Sequence, residues 1–248
     1  MLADIAGQAG ALALAHFRVV TPERKHDRTL VTAADREVEA FLVSALRPVF
    51  PGAGMVGEEG TRTASTDGTH LVIDPIDGTA AFVAGLPTWC VCFGLLRGGD
   101  PVVGVVHMPV TGETSIAIDG QAWVGDNALP ALRADAVPPG DAFVLAHAKS
   151  HVRHHLRYPG KVRSLGSTAY HIALVAQGVA EAALLGRVYV WDLVGPLALL
   201  RAVGGDAVTL GGAALDLAGM LDGSRSPDFA VAAARARLPE LLPLLGAP

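Results

Sequence analysis

The chain has 248 residues, of which 51% are hydrophobic and 17% charged, so it is neither disordered nor fibrous and can bury a substantial core. It carries 19 Lys and Arg residues against 24 Asp and Glu residues, and this formal net charge of −5 argues against a general nucleic-acid binder. The length suits one large domain or two coupled ones.

The N-terminal segment does not have the composition of a targeting signal. Residues 1–7 are small and apolar, but they lack a basic region and include Asp4. No uninterrupted apolar run approaches the roughly 20 residues that cross a bilayer. We therefore expect a cytoplasmic protein that contacts neither a membrane nor nucleic acid.

The first half of the chain predicts helices followed by an antiparallel meander. Helices are expected at about 2–17 and 33–47, the second ended by Pro48. Cys90 and Cys92 share one face of a predicted strand, so we expect buried thiols and no disulfide between them. The predicted strands, with Gly-containing turns between the later ones, lie at 71–73, 91–96, 102–107 and 114–118.

The second half predicts an α/β layer. A boundary near 139 divides an N-terminal α+β half, 1–139, from a C-terminal α/β half, 140–248, with a shared cleft between them. The leucines from 238 to 245 indicate a core-facing helix stripe. Strands are predicted near 142–146, 161–164, 182–185 and 207–210, and helices near 168–178 and 193–203.

The most informative segment follows the apolar run 71–73. Asp74 and Asp77 can turn toward one cation, Gly78 permits a tight backbone turn, and Thr79 offers a hydroxyl to water or to a phosphate oxygen. These residues predict a divalent-metal site at the edge of a cleft. The alternative is an ordinary turn, because Asp and Gly are common in turns of any function.

Three other acidic residues also lie next to a predicted strand or at the start of a predicted helix. Glu58 follows the apolar run 55–57, and Asp192 ends a strand-like run at 189–191. Asp35 lies in the first turn of a helix that Thr32 caps, and the alternative role for it is a capping box alone. Strands that end in acids predict that these side chains form a single site.

Together these segments resemble the inositol monophosphatase family, which belongs to the metal-dependent, lithium-sensitive sugar phosphatases. The resemblance covers most of the chain, and the Asp-Pro-Ile-Asp-Gly-Thr hexapeptide is its most specific part. It implies an α/β (α+β) fold, a layered αβαβα sandwich of the inositol monophosphatase and fructose-1,6-bisphosphatase type, in a homodimer. The segments that carry the resemblance are 30–35, 57–59, 74–79 and 191–192.

The same resemblance implies the metal ligands. Glu58, Asp74 and the backbone carbonyl of Ile76 would bind the principal Mg²⁺, and Asp74, Asp77 and Asp192 a second one. Glu58 would also reach a weaker third ion. Most of these ligands belong to the N-terminal half, and the C-terminal half supplies Asp192 and the wall of the substrate pocket. Two or more Mg²⁺ ions and inhibition by Li⁺ are expected.

The resemblance also assigns the catalytic roles. Asp35 and Thr79, with Glu58, would orient and activate a metal-polarised water that attacks phosphorus. The backbone amides of Gly78 and Thr79 would donate hydrogen bonds to the phosphate oxygens. The expected reaction is the hydrolysis of a small polyol, sugar or nucleotide phosphate.

The residues that would contact the leaving group depart from the family pattern. Leu185 stands where inositol-specific members have a Glu that binds sugar hydroxyls, and Val194-Gly195-Pro196 replaces the usual small residues after the Trp-Asp pair. Gly166, Ser167, Leu185 and Arg187 are the candidate pocket residues. Fructose 1,6-bisphosphate, 3′-phosphoadenosine 5′-phosphate and histidinol phosphate are therefore alternative substrates.

A basic region at 149–157, rich in His and Arg, has two interpretations. It is either a solvated surface or, with Lys161, Arg163 or Arg187, a binding site for a second charged group of the substrate. Zinc binding by its histidines is not favoured, because no further ligand lies near them in the sequence.

A competing hypothesis is a binding or regulatory protein that keeps the fold without catalysis. Such a protein has no need of the complete acid set, and every member of that set is present. The sequence therefore favours an enzyme.

Overall fold

The computed structural model describes residues 1–19, 22–24, 30–135, 138, 140–153 and 156–246. The described helices are α1 (Leu2–His16), α2 (Ala33–Leu46), α3 (Thr79–Val83), α4 (Ser150–Arg153), α5 (Thr168–Ala176), α6 (Val194–Ala202) and α7 (Leu238–Leu245). Short 3₁₀ turns lie at Gly219–Asp222 and Arg235–Arg237.

The first nine described strands lie before residue 130. They are β1 (Glu23–Arg24), β2 (Leu30–Val31), β3 (Gly54–Gly57), β4 (Thr69–Asp77), β5 (Cys90–Arg97), β6 (Asp100–Met108), β7 (Glu113–Ile118), β8 (Gln121–Val124) and β9 (Asn127–Ala128). The others are β10 (Phe143–Ala146), β11 (Lys161–Arg163), β12 (Ala182–Leu185), β13 (Gly205–Thr209) and β14 (Ala230–Ala234).

Within the described residues the strands form two main sheets and a two-stranded ribbon of β1 and β2. The larger sheet has the order β3-β4-β5-β6-β7-β8-β9, antiparallel except for the parallel pair β3 and β4. The smaller sheet has the order β11-β10-β12-β14-β13. The antiparallel meander predicted for the first half is confirmed.

The helices and sheets alternate in layers. Helices α1 and α2 cover one face of the large sheet, and α5 and α6 pack between its other face and the small sheet. Helix α7 covers the outer face of the small sheet. Each helix thus buries its apolar stripe against a sheet, and the expected αβαβα sandwich is confirmed.

Three glycines let the start of α6 approach the large sheet closely. A Cβ at Gly94 would lie 2.8 Å from the backbone nitrogen of Gly195, and one at Gly195 would lie 2.6 Å from Cys92 Sγ. A Cβ at Gly104 would overlap the carbonyl oxygen of Gly195. Pro196 is tolerated here because the amide hydrogen it lacks belongs to the first helical turn, where no intrahelical acceptor exists.

Most predicted elements lie within two residues of the observed ones, and one predicted strand-like run is wrong. Residues 189–191 are not a strand, because β12 ends at Leu185 and the chain then crosses from the small sheet to α6. Cys90 and Cys92 are buried free thiols, as expected. None of the helices among the described residues has the length and apolar composition that a membrane crossing requires.

The division at residue 139 stays a prediction. Sheet membership follows it, since β3 to β9 precede it and β10 to β14 follow it. Helix α6, however, comes from the second half and packs on the sheet of the first half.

Candidate active site

A β-bulge at the end of β4 turns both aspartates of the hexapeptide to one side of the sheet. Asp74 pairs with Cys92 and Asp77 pairs with Cys90, so three steps on β4 match two on β5. Residues three apart on a regular strand face opposite ways, and one extra residue reverses this. Pro75 lies within the bulge, where its missing amide hydrogen costs no ladder bond.

Asp77 is held at the start of α5. Ser167 Oγ donates to Asp77 Oδ2 at 2.7 Å, and the amide of Ala169 donates to the same oxygen. Burial raises the pKa of the Asp77 carboxyl, while the hydrogen bonds from Ser167 and from nearby amides act in the opposite direction. Ser167, predicted as a pocket residue, therefore fixes a predicted metal ligand.

Asp192, in the turn before α6, places its carboxylate beside those of Asp74 and Asp77. Its Oδ2 accepts a 2.8 Å hydrogen bond from the amide of Tyr189. One carboxylate oxygen each of Asp74, Asp77 and Asp192 lies within 4.8 Å of the others, a spacing at which one cation can bind all three. Residues from two distant parts of the chain thus form one acidic cluster.

The chemistry of the acidic cluster fits a bound divalent cation. Asp74 Oδ1 is buried without a hydrogen-bond partner among the described residues. Burial raises the pKa of Asp74 well above its usual range, and repulsion from Glu58, Asp77 and Asp192 raises it further. A bound divalent cation would both satisfy the oxygen and offset the repulsion.

Glu58 begins a turn that a second glutamate holds in place. The amide of Glu58 donates to the carbonyl of Ile73 at 3.2 Å. From α2, Glu39 accepts hydrogen bonds from the amide of Glu59 at 2.7 Å and from Oγ1 and the amide of Thr61 at 2.6 and 3.0 Å. The sequence interpretation missed Glu39, although its position four residues after Asp35 places both on one face of α2.

We expect Glu39→Gln to weaken Mg²⁺ activation more than it weakens folding. The amide group of Gln replaces one accepting oxygen by a donor, which leaves a half-buried amide of the turn without its acceptor, at a cost of about 1 kcal/mol. Glu58 then loses its fixed orientation. The measurement is the Mg²⁺ concentration for half-maximal activity, compared with Glu37→Gln on the exposed side of α2. Equal Mg²⁺ requirements in both variants would contradict this role.

Asp35 caps α2 and also lies beside Thr79. Its Oδ2 accepts from the amide and Oγ1 of Thr32 at 2.7 and 2.6 Å, which completes the capping box of α2. Its Oδ1 lies 3.4 Å from Thr79 Oγ1, and that hydroxyl is also 3.2 Å from the carbonyl oxygen of Ile76. Asp35 is buried and reaches the site through Thr79.

A cleft of about 450 Å³ is lined by Glu58, Asp74, Asp77, Thr79 and Asp192. Gly166 and Arg187, two of the predicted pocket residues, line this cleft. Ser167 and Leu185, the other two, line an adjoining cavity of about 200 Å³. Leu185 is buried among the apolar residues of the core, so it offers no hydrogen bond to a sugar hydroxyl.

Of the basic candidates, Lys149 and Arg187 line the cleft. Lys161 and Arg163 lie elsewhere, on β11 at the edge of the small sheet. His154 and His155 lie outside the described residues.

The model of the inositol monophosphatase family matches residues 2–238. The chain belongs to the inositol monophosphatase family. Members of this family are metal-dependent phosphatases of small phosphorylated substrates, so the protein is a phosphoric monoester hydrolase and the competing non-catalytic hypothesis is not favoured.

Relatives of this chain differ in the substrate that their names give. The chain is 32% identical to a histidinol-phosphatase of Chlorobaculum parvum over 82% of each chain. It is 31% identical to a fructose-1,6-bisphosphatase/inositol-1-monophosphatase of Thermotoga maritima, over 80% of this chain and 79% of the relative. A solved Thermotoga maritima IMPase structure superposes with a TM-score of 0.85 at 24% identity, covering 98% of this chain and 94% of the other.

The sequence interpretation missed a stack of side chains that includes Tyr189, Trp191 and Arg225 of the cleft lining. The rings of Tyr189 and Trp191 stack with centroids 4.6 Å apart. The Arg62 guanidinium lies over Trp191 at 5.5 Å, and that of Arg225 over Tyr189 at 4.5 Å. The stack ties the segment after Glu58 to the segment before Asp192. Only the Trp191-Asp192 pair gives any signal of the stack in the sequence.

Proposed function

We propose that this family phosphatase is a Mg²⁺-dependent, lithium-sensitive phosphomonoesterase of a small polyol, sugar or nucleotide phosphate. The observation that supports it is the convergence of Asp74, Asp77 and Asp192, together with a buried Asp74 Oδ1 that has no hydrogen-bond partner among the described residues. The carboxylate oxygens of this cluster are the ligands that hard divalent cations prefer.

Each predicted metal ligand has a role in the proposal. The ions would be held by Glu58, Asp74, Asp77, Asp192 and the carbonyl of Ile76. Bound there, Mg²⁺ would neutralise the charge of the phosphate and make water a stronger nucleophile at neutral pH.

The chain's own groups would orient the reactants. The Thr79 hydroxyl, linked to Asp35, would orient the attacking water. The amide of Thr79, at the start of α3, would donate a hydrogen bond to a phosphate oxygen. The amide of Gly78 already lowers the pKa of Asp77, so a phosphate oxygen would compete with that carboxylate for it. The positive φ of Gly78, 95°, makes this tight turn possible.

The identity of the substrate is a separate part of the proposal. The names of the relatives include histidinol-phosphatase and fructose-1,6-bisphosphatase/inositol-1-monophosphatase. Leu185 disfavours myo-inositol phosphate itself, because an apolar side chain does not bind ring hydroxyls. Cytoplasmic location and a homodimer stay predictions from the sequence.

The deciding experiment is phosphate release from a panel of inositol, sugar, nucleotide and histidinol phosphates. Each is tested with Mg²⁺, with a chelator, and with Mg²⁺ plus Li⁺. Release that requires Mg²⁺ and falls with Li⁺ supports the proposal and ranks the substrates. Absence of release from every compound, despite measured Mg²⁺ binding, would overturn the proposed activity and favour a regulatory role.

A further inference from the structure

The turn that carries Glu58 is closed by its own hydrogen bonds. The amide of Gly57 donates to the carbonyl of Thr61 at 2.9 Å, and Val56 and Arg62 form an isolated β-bridge at the base of the turn. Because the two ends of the turn are joined in this way, Glu58 moves with the turn as a unit.

Arg62 connects this turn to a distant part of the chain. Its Nη1 donates to the carbonyls of Gly57 and Thr61, and its guanidinium lies 5.5 Å from the centroid of the Trp191 ring. The hydrogen bonds fix the guanidinium against the turn, and the ring face attracts its positive charge. The contact therefore resists separation of the Glu58 turn from Trp191.

Trp191 belongs to the segment that orients Asp192. It directly precedes Asp192 and stacks on Tyr189, whose amide donates to Asp192 Oδ2 at 2.8 Å. The Trp191 ring is buried in the core, so packing fixes its position. A guanidinium that is held on this ring thus holds the Glu58 turn at a set distance from Asp192.

The two carboxylates that Arg62 connects repel each other when no cation is bound. Glu58 and Asp192 line the same cleft. Burial raises the pKa of the Asp192 carboxyl, and repulsion from Asp77 and from Glu58 raises it further. This repulsion favours movement of the Glu58 turn away from Asp192, and the contact between Arg62 and Trp191 opposes that movement.

We propose that Arg62 is a positioning residue that keeps Glu58 in place beside the acidic cluster before a divalent cation binds. Binding of the ion then does not have to order the turn, and preorganised ligands bind more tightly than mobile ones. Arg62 is not one of the residues that line the cleft, so it acts through the turn and through Trp191. This inference rests on the proposed function.

The charge of Arg62 and its contacts would change cation binding in opposite directions. If its charge alone mattered, its removal would strengthen Mg²⁺ binding, because a nearby positive charge repels the ion. If its contacts position Glu58, their removal would weaken Mg²⁺ binding, because the ion must then also order the turn. The direction of the change therefore decides between the two effects.

The test is the Kd of Mg²⁺ in the absence of substrate, measured by its competition with Mn²⁺ in electron paramagnetic resonance spectra. We expect Arg62→Ala to raise this Kd about fivefold or more, which is the scale of a cation–π contact and a hydrogen bond. Arg62 is exposed, so the variant should fold.

Arg163→Ala is the matched control. The Arg163 guanidinium also lies over a ring, that of Phe143 at 5.0 Å, but it belongs to β11 and does not line the cleft. Its loss should leave the Kd of Mg²⁺ unchanged.

A second substitution tests whether Arg62 acts through the ring. Trp191→Leu keeps an apolar side chain at a core position and removes the ring face. In the Trp191→Leu background, Arg62→Ala should weaken Mg²⁺ binding little further, because the effects of coupled contacts are not additive. An effect of full size in that background would overturn the connection to the Asp192 segment.

The outcomes separate this inference from the proposed function. Unchanged or stronger Mg²⁺ binding by Arg62→Ala overturns the inference and leaves the function standing. A lower melting temperature without a change in Kd shows a structural contact alone and also overturns the inference. If the wild type binds no Mg²⁺ and releases no phosphate from the panel, both are overturned.

Discussion

Asp74→Asn should abolish Mg²⁺-dependent phosphate release, with a loss on the order of 10³-fold or more, while the protein stays folded. Asp74 lies in the acidic cluster, and one of its oxygens is buried with no hydrogen-bond partner in the described part of the chain, so the substitution removes a charge from the proposed metal site and no packing group. The measurement is the rate of phosphate release at saturating Mg²⁺.

The stability of the same variant separates a metal ligand from a structural residue. Folding raises the pKa of the Asp74 carboxyl, and a raised pKa destabilises the native state at pH values above the unfolded pKa. At pH 7 without metal, the neutral Asn should therefore leave the melting temperature unchanged or higher. Mg²⁺ should raise the melting temperature of the wild type and have little effect on the variant.

Asp126→Asn, in the exposed turn between β8 and β9, is the matched control and should retain both activity and the stabilisation by Mg²⁺. Full activity of Asp74→Asn would refute the assignment of the metal site.

Gly104→Ala should lower the free energy of unfolding by about 3 kcal/mol or more, which is the upper range for overpacking of a core. The added methyl would overlap the carbonyl oxygen of Gly195 and lie 2.7 Å from Ala198 Cβ, so α6 must move away from the large sheet. Asp192 lies three residues before Gly195, and we expect the Mg²⁺ requirement to rise with the shift.

Gly7→Ala is the control for the same chemical change. Gly7 lies in α1, and a Cβ there would meet no atom within 4 Å. This substitution should stabilise the protein by about 0.5–1 kcal/mol, since alanine favours a helix interior. Urea unfolding of both variants gives the comparison. Similar midpoints for the two would show that the helix and sheet are less closely packed at Gly104 than the structure indicates.

The family resemblance could be stated from the sequence because its motifs are local. The Asp-Pro-Ile-Asp-Gly-Thr segment occupies six consecutive residues, 74–79, at the end of one strand and the turn after it, and the Thr32 to Asp35 cap lies within one helical turn. The alternation of apolar residues similarly predicted most of the meander, because the side-chain period of a strand is independent of the rest of the fold.

Other elements depended on burial that a local pattern does not show. The alanine-rich strand β14 was not predicted, because alanine has little strand preference and this strand forms only between β12 and β13. The run 189–191 has strand-forming residues, yet its place between two layers makes it a turn.

The arrangement of the site was decided by contacts between distant residues. Ser167 lies 90 residues from Asp77, and Arg62 and Trp191 come from opposite halves of the chain. The sequence by itself determined which chemical groups are present: the acids, the hydroxyl of Thr79 and the absence of an acid at Leu185. Only the tertiary structure decided that Asp74, Asp77 and Asp192 converge, with an Asp74 oxygen that has no hydrogen-bond partner among the described residues, because such distances depend on how whole layers pack.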